Sequence, residues 1–151
     1  MEDLDQLAAT TRLAFEEVCR QSSFDDPTCN PELIVEVVEV ASVGPTPTLI
    51  LIAPWGLDGM MFLDEELEVS ELTVGRRCFP VLTGALDTIG SFSSVRLVPD
   101  ARGLADQAAA QHAAAALAGP FREAVSRALQ ELSVADPARR ELFKRLGGGS
   151  N

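Results

Sequence analysis

Along residues 3–20, Leu4, Leu7, Ala8, Thr11, Ala14, Phe15 and Val18 recur at three- and four-residue steps, with charged and polar residues between them. That period predicts an amphipathic helix, and neither Gly nor Pro interrupts it. Turn formers and two prolines in SSFDDPTCNP (22–31) end it. The period then shortens. ELIVEVVEV (32–40) is β-branched, with Glu32, Glu36 and Glu39 spaced as in a strand that has one face near water. After the turn GPTPT (44–48), LILIA (49–53) is a short continuous apolar run, as expected for a central strand. PWGLDG (54–59) reads as the next turn and MMFL (60–63) as a third strand. DEELEVSE (64–71) reads as an acidic connection, GRRCFPVL (75–82) as a fourth strand or strand pair, and SFSSVRLV (91–98) as a fifth, with a turn bracketed by Gly84 and Gly90.

From residue 101 the pattern changes again. ARGLADQAAAQHAAAALA is alanine-rich and strongly favours helix, and Gly119-Pro120 is expected to end it. Pro120 can open a further helix, PFREAVSRALQEL, and DPARRELFKRL (136–146) predicts a last one with Asp136 as cap. The links between strands are too short for parallel crossovers, which need roughly a dozen residues. The expected fold is therefore α+β: an N-terminal helix, about five antiparallel strands, and C-terminal helices packed on one face of the sheet. Residues 1–146 form one domain in this reading, and GGGSN (147–151) is a flexible tail.

Charge is distributed unevenly. Residues 1–75 carry 16 acids and two bases, Arg12 and Arg20, whereas residues 76–151 carry seven acids and ten bases. An acidic half argues against nucleic acid, whose phosphates need Lys or Arg, and suits a basic partner. No stretch is apolar for the ~20 residues of a membrane span, and the acidic start MEDLDQ is unlike a signal peptide. The expected location is the cytoplasm. Cys19, Cys29 and Cys78 form no CxxC pair and have no histidine near them in sequence, so they read as reduced thiols rather than a zinc site.

Little of the chain looks catalytic. The single histidine, His112, lies inside the alanine-rich helix; there is no tyrosine, no GxSxG elbow, no phosphate-binding glycine loop and no HExxH. Asp64, Glu65, Glu66 and Glu68 could suggest a divalent metal, but the run lacks the glycine and alternation of a calcium loop and reads better as solvated acids that steer a cationic partner. No cofactor is expected. The informative stretch is APWGLDGMM. Gly56 and Gly59 allow tight turning, Asp58 can hydrogen-bond locally, and Trp55 offers a large amphipathic face. Met60 and Met61 are side chains of the type that accept varied apolar partners, and neighbours in a strand cannot both face one core. Pro54, Trp55, Leu57, Asp58, Met60 and Met61 are thus candidates for binding a partner.

These residues, with NPELIVEVVEV (30–40), LILIAPWGLDGMMFL (49–63), VGRRCFP (74–80), IGSFSSVRLVPD (89–100) and LADQAAAQHAAAALAGP (104–120), resemble the HybE/HupJ family of [NiFe]-hydrogenase assembly chaperones. The basic segment ARRELFKR (138–145) is similar as well. The resemblance adds Phe79 and Pro80 to the candidate set. It implies a cytoplasmic chaperone without enzymatic turnover that binds hydrogenase subunit precursors, including the small subunit with its twin-arginine signal, before the subunits join. The family usually has Asn where Asp58 stands. Acidity and a helix–sheet–helix order are equally those of a secretion-type chaperone or a general peptide-binding module, and a five-stranded sheet leaves edges open to a client strand or to a second copy in a homodimer.

Overall fold

The computed structural model describes residues 4–22, 25–63 and 68–135. Helix α1 spans Leu4–Arg20. Seven strands follow: β1 Glu36–Val43, β2 Thr46–Ala53, β3 Gly56–Met61, β4 Glu71–Val74, β5 Arg77–Pro80, β6 Leu82–Leu86 and β7 Gly90–Val98. A short 3-10 turn at Ala101–Gly103 leads into helix α2, Gln107–Ala135. Five strands form an antiparallel sheet in the order β1-β2-β3-β7-β6, and β4 and β5 pair as a separate hairpin. The fold is α+β.

The two helices lie on opposite faces of the sheet. On the α2 side, Ala110, Ala114, Ala118, Phe121, Val125 and Leu129 form the helical stripe that meets Ile50, Ile52, Leu57, Met61, Val95 and Leu97. The alanines let α2 approach closely. Gly59 has the same role on the sheet, because a Cβ there would stand 2.6 Å from the Phe121 ring. On the α1 side, Phe15 packs with Val35, Leu49, Leu51, Ala53 and Met60. The apolar run of β2 therefore serves two cores, its odd-numbered residues facing α1 and Ile50 and Ile52 facing α2.

Several boundaries differ from the sequence-based expectation, each for a local reason. The turn expected over PWGLDG contains only Pro54 and Trp55, and Gly56–Met61 is already strand, with Ala53 paired to Gly56. The first strand begins at Glu36, not residue 32. Before it, the Gln107 side chain takes the place of a pairing strand: the Ile34 N–H donates to Gln107 Oε1 (2.9 Å) and Gln107 Nε2 donates to the Ile34 carbonyl (3.2 Å). A bulge in β1 holds Glu39 at φ 55 and aims it at Arg122 of α2, with Nη2 to Oε1 at 3.0 Å.

Gly84 lies inside β6, and the turn comes after it, closed by the Ile89 N–H on the Leu86 carbonyl. β4 starts at Glu71, the last residue of the stretch expected to be a connection. The alanine-rich helix begins at Gln107 rather than 101, capped by Asp106, whose carboxylate accepts from the Ala109 N–H (2.8 Å). It also runs through Gly119-Pro120 as one helix. A proline costs roughly 3 kcal/mol in a helix interior, but the buried stripe continues on both sides of it through Ala118, Phe121 and Val125. Ala116, whose carbonyl loses its partner to Pro120, is exposed to water. The expected helix 136–146 and the tail 147–151 lie outside the described residues.

Candidate functional site

The end of the sheet that carries the Pro54-Trp55 turn is assembled from segments far apart in sequence. The Asn30 N–H donates to the Pro54 carbonyl (2.8 Å), and Asn30 Nδ2 donates to the Leu104 carbonyl (2.9 Å). The Ala101 N–H donates to the Thr28 carbonyl (2.8 Å), and Arg102 Nε donates to the Cys29 carbonyl (2.8 Å). Segments 28–30, 53–56 and 100–104 are thereby locked into one rim, with Trp55 at its tip.

Trp55 is half-buried. Its ring leans on Phe15 of α1 at 6.2 Å between centroids, and Phe15 in turn meets Phe92 of β7 edge-on at 5.8 Å. The indole Nε1 donates to Asp58 Oδ2 at 3.0 Å, and the other carboxylate oxygen accepts from Arg96 Nε. Asp58 and Arg96 are register partners on β3 and β7, which puts both side chains on the α1 side of the sheet. The Asp58 residue is 8% exposed, while 38% of the Arg96 side chain meets solvent. α1 packs over β1 and β2 and leaves the β7 and β6 part of this face less covered. There Phe92, Ser94 and Arg96 remain partly accessible, and Leu82 is 54% exposed. An aromatic ring, a guanidinium and an apolar edge therefore share one open region.

Burial pushes the Asp58 carboxyl above its ordinary range, and the Arg96 charge and the Trp55 hydrogen bond only partly offset it. The sign of the linkage follows. An acid whose pKa is raised on folding adds most stability while it is protonated, and that contribution is lost as pH rises through the folded-state value. Wild-type stability relative to Asp58→Asn should therefore fall as pH rises from about 4 to 7. Denaturant titrations of both proteins across that range check it. A difference that stays constant or grows would show that ion pairing, not burial, governs this carboxyl.

Among the other sequence candidates, Pro54, Leu57, Met60, Met61 and Phe79 are buried and Pro80 is exposed. Met60 belongs to the α1 core and Met61 to the α2 core, so alternation along the strand sends each into an interior instead of leaving one outside. Phe79 lies in the α2 core, where Arg77 stacks over its ring at 4.9 Å, and so Phe79 and Trp55 face different sides of the sheet. Glu68 is exposed, whereas Asp64, Glu65 and Glu66 lie outside the described residues. Phe15, Phe92 and Arg96 were not among the candidates. Arg96 had a signal: it is the base within a strand that alternates around it, as Asp58 is the acid within its own.

His112 is exposed on α2. Among the described residues no three His, Cys, Asp or Glu side chains converge as a metal site would need, and no helix is long and apolar enough to cross a membrane. The family model described as "[NiFe]-hydrogenase assembly, chaperone, HybE" matches residues 6–145 of the 151 in the chain. The chain belongs to the HybE family. No curated protein and no solved structure matches it. The HybE match takes in α1 from Gln6 onward, β1 to β7 and α2, so the rim at Trp55 and both cores are contained in it.

Proposed function

We propose that this HybE-family protein is a cytoplasmic chaperone without catalytic turnover that holds a [NiFe]-hydrogenase subunit precursor before subunit joining or export. The small-subunit precursor with its twin-arginine signal is the favoured client. The observation that carries the site is Trp55: a half-buried indole fixed on one edge by Asp58 and on one side by Phe15. A ring held in this way loses little conformational entropy on contact, which suits it as an interface anchor. Pro80 adds surface on another part of the fold. Pro54, Asp58 and Met60 support the site from within, whereas Leu57, Met61 and Phe79 lie in the α2 core.

Magnitudes divide the work between apolar contact and charge. An exposed Arg–carboxylate pair contributes about 0.2–1 kcal/mol, whereas a micromolar complex needs about 8 kcal/mol. Apolar contact around Trp55 must therefore hold the client, and the acids, Asp64, Glu65, Glu66 and Glu68 among them, speed its approach. Co-purification with tagged small- and large-subunit precursors tests the reading. Trp55→Ala is expected to lower precursor capture about tenfold or more while circular dichroism shows the fold retained. Capture at the wild-type level by a folded Trp55→Ala protein would overturn this site, and failure of the wild-type chain to capture either precursor would overturn the function.

A further inference from the structure

The two edges of the five-stranded sheet are built differently. β1 is guarded: its bulge at Glu39 breaks the ladder, and Glu36 and Glu39 are tied to Gln107, Gln111 and Arg122 of α2. β6 carries none of these devices. Its sequence, LTGAL, holds no charge and no proline, and among the described residues no strand pairs with its outer side. Leu86 closes the hairpin to β7, so by antiparallel alternation Leu82, Gly84 and Leu86 direct their backbone groups to β7. Thr83 and Ala85, both exposed, present theirs outward.

Acids mark both ends of this bare strand. The Val81 N–H donates to the Ser70 carbonyl (3.0 Å), which brings exposed Glu71 and Glu68 to the start of β6, and exposed Asp87 follows its end. Arg96, the basic residue of β7, is already engaged by Asp58. We propose that the outer edge of β6 receives an extended, apolar peptide segment flanked by basic residues, which adds to the sheet as a sixth strand. This rests on the reading that the clients are polypeptide segments, and it names how one is gripped: Thr83 and Ala85 supply backbone pairing, Leu82 an apolar contact, and Glu71 and Asp87 the charge match.

A second copy fits the edge less well. Two-fold antiparallel pairing would set the Asp87 end of one copy against the Glu68–Glu71 end of the other, acid upon acid. A five-residue strand also buries far less than the roughly 1,200 Å² of a stable specific interface.

The test uses the full chain and a synthetic probe that alternates valine and threonine, with arginine at both ends. Binding is read by fluorescence anisotropy and by amide exchange at Thr83 and Ala85. The probe should bind and protect both amides, and the same peptide with glutamate ends should bind about tenfold more weakly. Ala85→Pro should abolish probe binding by removing an outward N–H. Leu82→Lys, at an exposed position that leaves the fold intact, should weaken it about threefold or more. Protection of Thr83 that rises with protein concentration in the absence of probe, together with dimers in sedimentation, would overturn the proposal in favour of a second copy. Equal binding of both peptides, or no binding, would also overturn it. If Leu82→Lys and Ala85→Pro lose the probe yet capture hydrogenase precursors normally, the edge is not the client grip, and the chaperone reading stands. Probe binding by a wild-type chain that captures no precursor is the converse case.

Discussion

Replacing Met60 and Met61 together by serine is expected to unfold the protein, not to strip a binding surface from an intact fold. Met60 is 1% exposed and Met61 0%, and they lie in separate cores on the two faces of β3. Truncating a buried Met costs about 2–5 kcal/mol through lost transfer energy and the cavity left behind. The serine hydroxyl adds a polar group with no partner designed for it. Because the two sites lie on opposite faces of the sheet and belong to different cores, the costs should nearly add. The sum approaches the about 5–15 kcal/mol that holds a typical domain together. Urea titration followed by circular dichroism checks this, with Met60→Leu and Met61→Leu as controls that keep most of the volume and should each cost less than about 1.5 kcal/mol. A soluble double-serine protein with an unchanged midpoint would mean that both thioethers face solvent. The consequence for function is direct: loss of client capture in a Met variant reports on folding, whereas loss in Trp55→Ala reports on contact.

The same pair shows what the sequence could and could not reveal. Alternation along β3 was legible, and so was the conclusion that Met60 and Met61 point in opposite directions. What stayed hidden was that both directions lead inward, because α1 and α2 take opposite faces of the sheet. Periodicity reports which face of an element is apolar and says nothing of how many layers cover a sheet. The continuous run in β2 was the one hint, since a strand buried on both faces needs two coverings. Pro120 misled for a related reason: local propensity ends a helix there, and burial of the stripe on both sides overrides it. The site divided similarly. Trp55 and Asp58 could be named from spacing, but Arg96 is brought to them by strand register, and Phe15 and Phe92 by the packing of α1 on the sheet.

Among the described residues, Gly56→Ala should be the most damaging single replacement of a glycine. Gly56 has φ +136, a conformation that side chains other than glycine rarely adopt, and a Cβ there would lie 2.0 Å from the Val98 carbonyl oxygen. That atom is backbone, so the strand as a whole would have to move. The close approach arises where the β3–β7 register shifts, with Leu57 opposite Val98 and Asp58 opposite Arg96. Gly75 is the internal control: φ is +64 and nothing lies within 4 Å of its added Cβ, so Gly75→Ala bears only the backbone cost of about 1–2 kcal/mol. Gly56→Ala adds a steric cost and is expected to lose about 3 kcal/mol or more in denaturant titrations. The position also matters beyond stability. Gly56 lies between Trp55 and Asp58, whose side chains are joined by the Nε1–Oδ2 hydrogen bond. Any folded fraction of the variant should therefore show a shifted tryptophan emission, which no change at Gly75 would produce. Equal losses at Gly56 and Gly75, with unaltered emission, would show that β3 and β7 do not meet this closely and that the indole is positioned by something other than this turn.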